Sequence, residues 1–492
     1  MNATRLNGWL KVAAVVAVSA AASAHAGGWP MGGGDIKNTH SSNDHKISTQ
    51  NVASLTLKWE LDMAGDVSAT PTVEGDALYV PDFGGQISRI DSRTGAVVWT
   101  KNVAALTGVA GAKSRTSPAL LGDQLIFGTQ KGAMMVSVRK DDGSLLWKTQ
   151  LDAHPLAIIT SSPVVKGNRV YGGVASLEEG AATDPNYNCC SFRGSAFSLD
   201  ARTGKILWKT FTVPEGYTGG SIWGSTPVID EKRHQLIAAT GNNYSVPPAV
   251  TACVQAAHGN QQAMSACTDT SDFFDAVVAF DLDSGYINWG RRMQGFDAWT
   301  VACFFLPPGI TWCPSEAGPD YDFGAGPNLF TVKTEKGHRD LVGAGQKSGI
   351  YWALDPENGD IVWNTLVGPG SALGGIEWGA ATDGDRIYVQ NTNLYRQPYV
   401  LQPSGGTSAW GAWSGLDAAT GKILWQTPDP TPGAIDTGYV STANGVVYAG
   451  SLGSDGWFYA MDAATGAILW SYKSGGSVAA GAAIVDGTVY WG

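Results

Sequence analysis

The chain alternates short apolar runs with polar turns, and one ten-residue form of that pattern recurs seven times. It reads IDSRTGAVVW ending at Trp99, VRKDDGSLLW at Trp147, LDARTGKILW at Trp208, FDLDSGYINW at Trp289, LDPENGDIVW at Trp363, LDAATGKILW at Trp425 and MDAATGAILW at Trp470. Glycine stands four residues before every tryptophan, at Gly95, Gly143, Gly204, Gly285, Gly359, Gly421 and Gly466. Aspartate stands eight before it in every copy except the second, where Arg139 replaces it. Asp and Thr side chains hold such a turn through local hydrogen bonds and glycine supplies the positive φ, so each copy predicts a hairpin with alternating apolar positions. Two further strands with a glycine turn are predicted upstream of most copies, as in SSPVVKGNRVYGGV and STANGVVYAGSL. Four antiparallel strands, recurring every 40 to 80 residues or roughly so, predict the blades of a propeller.

The fold class expected is therefore all-β, an eight-bladed β-propeller with its tryptophans packed between neighbouring blades. Seven repeats are complete and the eighth is split. NVASLTLKWEL near the N-terminus reads as an outer strand carrying Trp59, and SVAAGAAIVDGTVYWG at the C-terminus supplies two inner strands. Joining them lets the N-terminal strand close the last blade. A third strand of that blade is missing, which reads as a truncated C-terminus. A seven-bladed ring with ragged ends is the alternative that the same residues allow.

Composition adds a compartment. Arg5 and Lys11 precede an apolar run at residues 12–22 and the small-residue sequence Ala24-His25-Ala26, the pattern of a secretory signal peptide over residues 1–26. The run is too short for a membrane span, and no cysteine lies near the cut to carry a lipid. A single mature domain, 27–492, is expected to be soluble and periplasmic or secreted, where disulfides form. The 64 glycines and 19 tryptophans, with only 15% charged residues, suit short strands and tight turns. The net charge of -11 comes without a Lys/Arg cluster, which argues against a nucleic-acid binder. An acidic surface serves solubility and also suits a basic protein partner.

The segments between the third, fourth and fifth repeat tryptophans are the longest, and all six cysteines lie from residue 189 to 313. Long inserts on one face of a rigid ring normally build its site. The start WPMGGGDIKNTHSS, the tryptophan-bearing turns and these inserts make the whole mature chain resemble the pyrroloquinoline quinone (PQQ) dependent alcohol dehydrogenases, in particular their polyvinyl alcohol dehydrogenase branch.

The resemblance implies a site. A divalent cation beside the quinone is expected on Glu178 of GVASLEEG, which has Glu179 next to it, and on Asn242 of TGNNYS; an all-oxygen set suits Ca2+. Trp223 of SIWGSTP matches the tryptophan on which the quinone stacks. Arg115, Lys347 and the Thr160 hydroxyl match groups that contact the cofactor, whose three carboxylates need donors. The family's catalytic base is an Asp in a His-Asp-x-Trp-Asp pattern. Here GFDAWTVACFF keeps Asp297 and Trp299, but Thr300 stands where the base belongs and Phe296 replaces the His. The family's continuation is found later, in DYDFGAGPNLF. Residues 301–319 then read as an insertion that splits the motif, which makes Asp320 the expected base and metal neighbour, Asp297 the alternative base, and Asp322 a further metal neighbour resembling the lanthanide-using branch.

Spacing suggests that Cys253 pairs with Cys267 and Cys303 with Cys313, each closing a short loop. That leaves Cys189 and Cys190 for each other, with cross-links to Cys253 and Cys267 as the rival pairing. The vicinal pair is expected to stiffen the rim of the site and to reach over the quinone face opposite Trp223. The function expected is oxidation of secondary hydroxyls, as in polyvinyl alcohol. No Cys-x-x-Cys-His haem signature occurs, so an external cytochrome c is the expected acceptor. Two other readings stand beside it: a non-catalytic scaffold propeller, and a degenerate quinoprotein that binds cofactor without turnover.

Overall fold

The computed structural model of the chain describes residues 27–224 and 226–492. The expected signal peptide at 1–26 lies outside the described residues. Each ten-residue repeat folds as read. In the third, Asp200 Oδ1 accepts hydrogen bonds from the Arg202 and Thr203 backbone N–H groups and from the Thr203 hydroxyl, while Gly204 takes φ +70°. The strands on either side pair antiparallel, Ser195–Asp200 with Ile206–Phe211.

The tryptophans explain why the blades stack. The Trp208 indole donates to the backbone oxygen of Leu282 in the next blade's turn (3.0 Å), and its ring lies where a Cβ on Gly285 would fall within 2.5 Å. Trp147 does the same to Ala201 and Gly204, Trp363 to Ala418 and Gly421, and Trp425 to Ala463 and Gly466. The repeat glycine is thus required twice, for its positive φ and for the ring that its neighbour lays against it.

The blade number corrects the sequence expectation. Among the described residues the strands build seven four-stranded blades, spanning residues 72–102, 119–150, 164–211, 228–292, 328–366, 381–428 and 440–473. The C-terminal pair Ala483–Val485 and Thr488–Tyr490 is a two-stranded sheet of its own, wedged between the last blade and the first. The segment around Trp59 forms no strand with it. Trp59 still bonds to Ser92 and covers Gly95, so it keeps the docking chemistry of a blade without the blade. The N-terminal strand that does join the last blade is Ser41–Ser42, and it pairs parallel to Val440–Ala443.

Three disulfides are present, Cys189–Cys190, Cys253–Cys267 and Cys303–Cys313, which are the local pairs. Cys253–Cys267 ties helix Pro248–Ala256 to helix Gln261–Ala266. Cys303–Cys313 closes the insert after Thr300. No described helix is long and apolar enough to cross a membrane.

Candidate active site

The second strand of a blade delivers most of the site. Glu178 and Glu179 follow Arg169–Ser176, Asn242 follows Gln235–Ala239, and Lys347 follows Gly337–Gly345, all at the same end of the ring. Trp223 stands just before the fourth blade. The two halves of the split motif, around Asp297 and around Asp320, lie in the segment between the fourth and fifth blades.

Lys347 is the centre. Its Nζ is 3.1 Å from Asp320 Oδ2, 2.7 Å from Asp322 Oδ1 and 5.2 Å from the centre of the Trp223 ring. Trp223 in turn donates its indole N–H to Asp322 Oδ2 (2.7 Å). All three charged side chains are almost wholly buried. Burial alone would depress the lysine, but the carboxylates of Asp320, Asp322, Glu377 and Glu179 outweigh it and hold the ammonium form well above the ordinary range. Asp320 is pushed well up by burial, with Lys347 opposing, and its backbone is held at φ +59°.

Asp297 serves the motif differently. Its Oδ2 accepts the Tyr321 N–H (2.8 Å) and its Oδ1 the Asp320 N–H (3.3 Å), and Gly318 N–H bonds to Ala298 O. The two halves of the motif are thereby joined across the insert. Burial raises the Asp297 pKa to about 6. Thr300, where the base was expected by register, gives its hydroxyl to the Trp312 carbonyl within the insert (2.9 Å).

Of the adjacent glutamates, Glu178 is the one committed elsewhere. Its Oε2 accepts the Phe192 N–H and its Oε1 the Ser191 N–H, both at 2.7 Å, and the Tyr187 hydroxyl adds a third bond. It anchors the loop that carries Cys189 and Cys190. Glu179 is the residue turned to the cluster: its Oε1 is buried with no hydrogen-bond partner. Burial raises its pKa to about 8, with Lys347 and the Asn242 amide opposing and Asp322 and Asp297 adding to it. Asn242 spends its Nδ2 on the Trp299 and Asn243 carbonyls, leaving its amide oxygen to offer. Asp320 Oδ1 is likewise buried and unpartnered. Among the described residues no group of three or more His, Cys, Asp or Glu side chains is arranged to hold a metal ion. The Lys347 ammonium lies between the Asp320 and Asp322 carboxylates.

Arg115 and Thr160 line a separate cavity of about 100 Å³ with Ser117, Ser162, Trp378 and Tyr439. The Arg115 guanidinium lies 4.4 Å from the Trp378 ring and makes no hydrogen bond or ion pair among the described residues. Burial lowers its pKa. Trp378 meets Trp223 edge to face at 5.3 Å, so this cavity and the lysine cluster share a wall. Cys189 and Cys190 line a cavity of about 190 Å³ with Phe296, Trp312 and Cys313, and Trp223 does not contribute to it.

The sequence reading left out Glu377, Trp378 and Asp275, of which the two acids are buried. Glu377 faces Lys347 and Arg115, and burial raises it to about 7. Trp378 follows it; the signal was two large side chains inside the small-residue run GGIEWGAA. Asp275 lies against Asp297, and burial with that neighbour drives its pKa well up.

Comparison with known proteins agrees with this picture. The family model described as "Outer membrane protein assembly factor BamB" matches residues 25–183 and 346–491, together more than half of the chain. A polyvinylalcohol dehydrogenase of Pseudomonas sp. is 29% identical over 88% of the chain, and one from Sphingopyxis sp. is 29% identical over 84%. The chain spans 65% and 62% of the length of those two relatives. Among solved structures, a quinohemoprotein alcohol dehydrogenase from Comamonas testosteroni superposes with a TM-score of 0.71 at 20% identity, covering 94% of this chain and 75% of its own. A europium-containing methanol dehydrogenase gives 0.68 at 18%, covering 93% and 87%. The chain belongs to this propeller family.

Proposed function

We propose that the chain is the catalytic propeller of a periplasmic or secreted quinoprotein that oxidises secondary hydroxyls, of polyvinyl alcohol or a similar polyol, to ketones. The observation that carries the reading is Lys347, buried between Asp320 and Asp322 over the Trp223 ring, beside the unpartnered oxygens of Asp320 and Glu179. Burying such groups is expensive unless something is bound to them, and a scaffold propeller has no use for them.

The donor types suit the group they would hold. Glu179, the amide oxygen of Asn242 and Asp320 are hard oxygen donors suited to Ca2+, and Asp322 is the additional carboxylate that a lanthanide would use. Trp223 offers an aromatic floor, while Arg115, Lys347 and Thr160 offer donors for carboxylates. PQQ, when bound, supplies the carbonyl carbon that accepts hydride from the carbinol. Asp320 takes the hydroxyl proton, Asp297 holds Asp320 in place, and the insert excludes water. Trp299 and Phe304 meet edge to face at 4.9 Å, and Phe305 is 75% exposed beside them, an apolar wall for a polymer chain. An external cytochrome c removes the electrons.

The test is reconstitution. Purified apoprotein is given PQQ with Ca2+, and dye reduction is followed across a panel of secondary alcohols. Failure to bind the quinone sinks the proposal. Binding without turnover on any alcohol leaves the degenerate quinoprotein, the reading that Thr300 in the base position favours.

A further inference from the structure

A second buried oxygen cluster lies at the site end of the sixth blade, apart from the lysine centre. Asn391 ends the strand Arg386–Asn391, Ala412 pairs with it in Ala412–Asp417, and Pro428 pairs with Ala412 at the end of Ile423–Pro428. Asp429 follows directly, and Asp436 lies on the loop to the seventh blade. Asp429, Asp436 and Asn391 are buried to within 1% of full occlusion. Both oxygens of Asp436 and Oδ2 of Asp429 receive no hydrogen bond from a donor, and the Asn391 amide and the Tyr399 hydroxyl lie against each other. The hairpin of Tyr399–Val400 and Thr407–Ser408 brings Tyr399 to the cluster.

We infer that Asp429, Asp436 and Asn391 hold a hard divalent cation between the sixth and seventh blades, with Tyr399 beside it. The charge is right: two carboxylates balance one divalent ion, and the remaining donors are neutral oxygens. No lysine or arginine acts on Asp436; its charged neighbour there is Asp429. A proton shared between Asp429 and Asp436 would satisfy one donor and one acceptor and leave the other oxygens unpaired, whereas a cation takes them together. The chain also makes room at close quarters. A Cβ on Gly411 would fall 2.3 Å from Asp436 Oδ2, so only glycine lets the backbone pass there. The Asp429 Oδ1 is fixed by the Thr431 N–H at 2.6 Å, and the Asp436 carbonyl by the Thr392 hydroxyl at 3.2 Å, which preorganises both ligands.

The experiment counts calcium. Chelator-treated apoprotein, free of quinone, is titrated with Ca2+ by calorimetry and thermal shift, in the full chain and in Asp436→Asn and Asp429→Asn. The expected result is one fewer bound Ca2+ in each variant and loss of the Ca2+-induced rise in Tm associated with it. Unchanged stoichiometry and an unchanged rise overturn the inference and leave a shared proton as the occupant. Should both variants fail to fold, the Glu179→Gln/Asp320→Asn chain decides, since it disables the quinone-side donors alone. One retained equivalent of Ca2+ in that chain supports the site, and none overturns it. The outcome is independent of whether the protein binds PQQ.

Discussion

The Asp297 carboxylate accepts the backbone N–H of Tyr321 at 2.8 Å, across an insert of about twenty residues that separates them in the chain. With the Asp320 N–H on its other oxygen, it pins the Asp-Tyr-Asp stretch in front of Lys347. Removing a buried acceptor of two backbone donors leaves both unsatisfied, which costs about 2 kcal/mol or more. Asp297→Ala should therefore lower stability by at least that much in urea denaturation and lower turnover through displacement of Asp320.

Asp320→Asn separates position from chemistry. The amide keeps the shape and an acceptor for Lys347, so folding and quinone binding should survive. As a proton acceptor it fails, and general-base loss is worth about 10²–10⁴-fold in rate. The measurement is kcat in the reconstituted enzyme alongside quinone affinity. Full activity in this variant removes Asp320 from the base role.

Glu178 and Glu179 are adjacent in sequence and should behave as opposites. Glu178→Gln removes the charge that four donors of the Tyr187–Phe192 loop point at, and hydrogen bonds to charged groups are each worth about 1.5–3 kcal/mol. Loss of Tm with little change in cation requirement is expected. Glu179→Gln should leave Tm nearly unchanged and raise the Ca2+ concentration needed for activity. If the two phenotypes are exchanged, the cation belongs with Glu178.

That pair shows where reading the sequence stops. Successive residues on a helical turn are rotated by about 100°, so adjacency alone cannot tell which carboxylate of GVASLEEG faces the cluster. The blades were legible because Gly and Trp sit at fixed offsets and each answers to a local cause, the turn and the neighbouring ring. The same offsets misled at Trp59, because docking onto Ser92 and Gly95 needs an indole and no strand. Asp320 was reached by allowing for an insertion, but the bond that makes the insertion harmless, Asp297 to Tyr321, is a tertiary fact. Glu377, Asp275 and the Asp429–Asp436 pair carry no motif; only burial marks them.

His40 gives the stability a pH dependence away from the site. It stacks on Tyr439 at 5.3 Å, and neither ring nitrogen has a partner. Burial lowers its pKa to about 4 from 6.5. The unfolded chain therefore binds a proton that the folded protein refuses. The contribution is intact above pH 6.5 and is lost as pH falls from there to about 4, amounting to about 3 kcal/mol. His40→Asn, which tolerates the φ of +49°, should flatten this part of the Tm-against-pH curve. A curve of unchanged slope in the variant assigns the acid sensitivity to other groups.

The docking glycines can be tested against an ordinary turn glycine. Gly75 has φ +59° and open space around it, so Gly75→Ala meets only left-handed backbone strain, about 1 kcal/mol. Gly421 has φ +74°, and a Cβ there would lie 2.4 Å from the Trp363 ring and 2.6 Å from Thr365 Oγ1, which itself bonds to the Gly421 carbonyl. The ring cannot retreat without breaking its bond to Ala418. Gly421→Ala should add the cost of overpacking to the strain, for a total of about 3 kcal/mol. Midpoints of urea unfolding for the two variants measure the difference. Equal losses would mean that the repeat keeps its glycine for φ alone; a larger loss at Gly421 means that the seam between blades, which the tryptophan closes, selects the residue as strongly as the turn does.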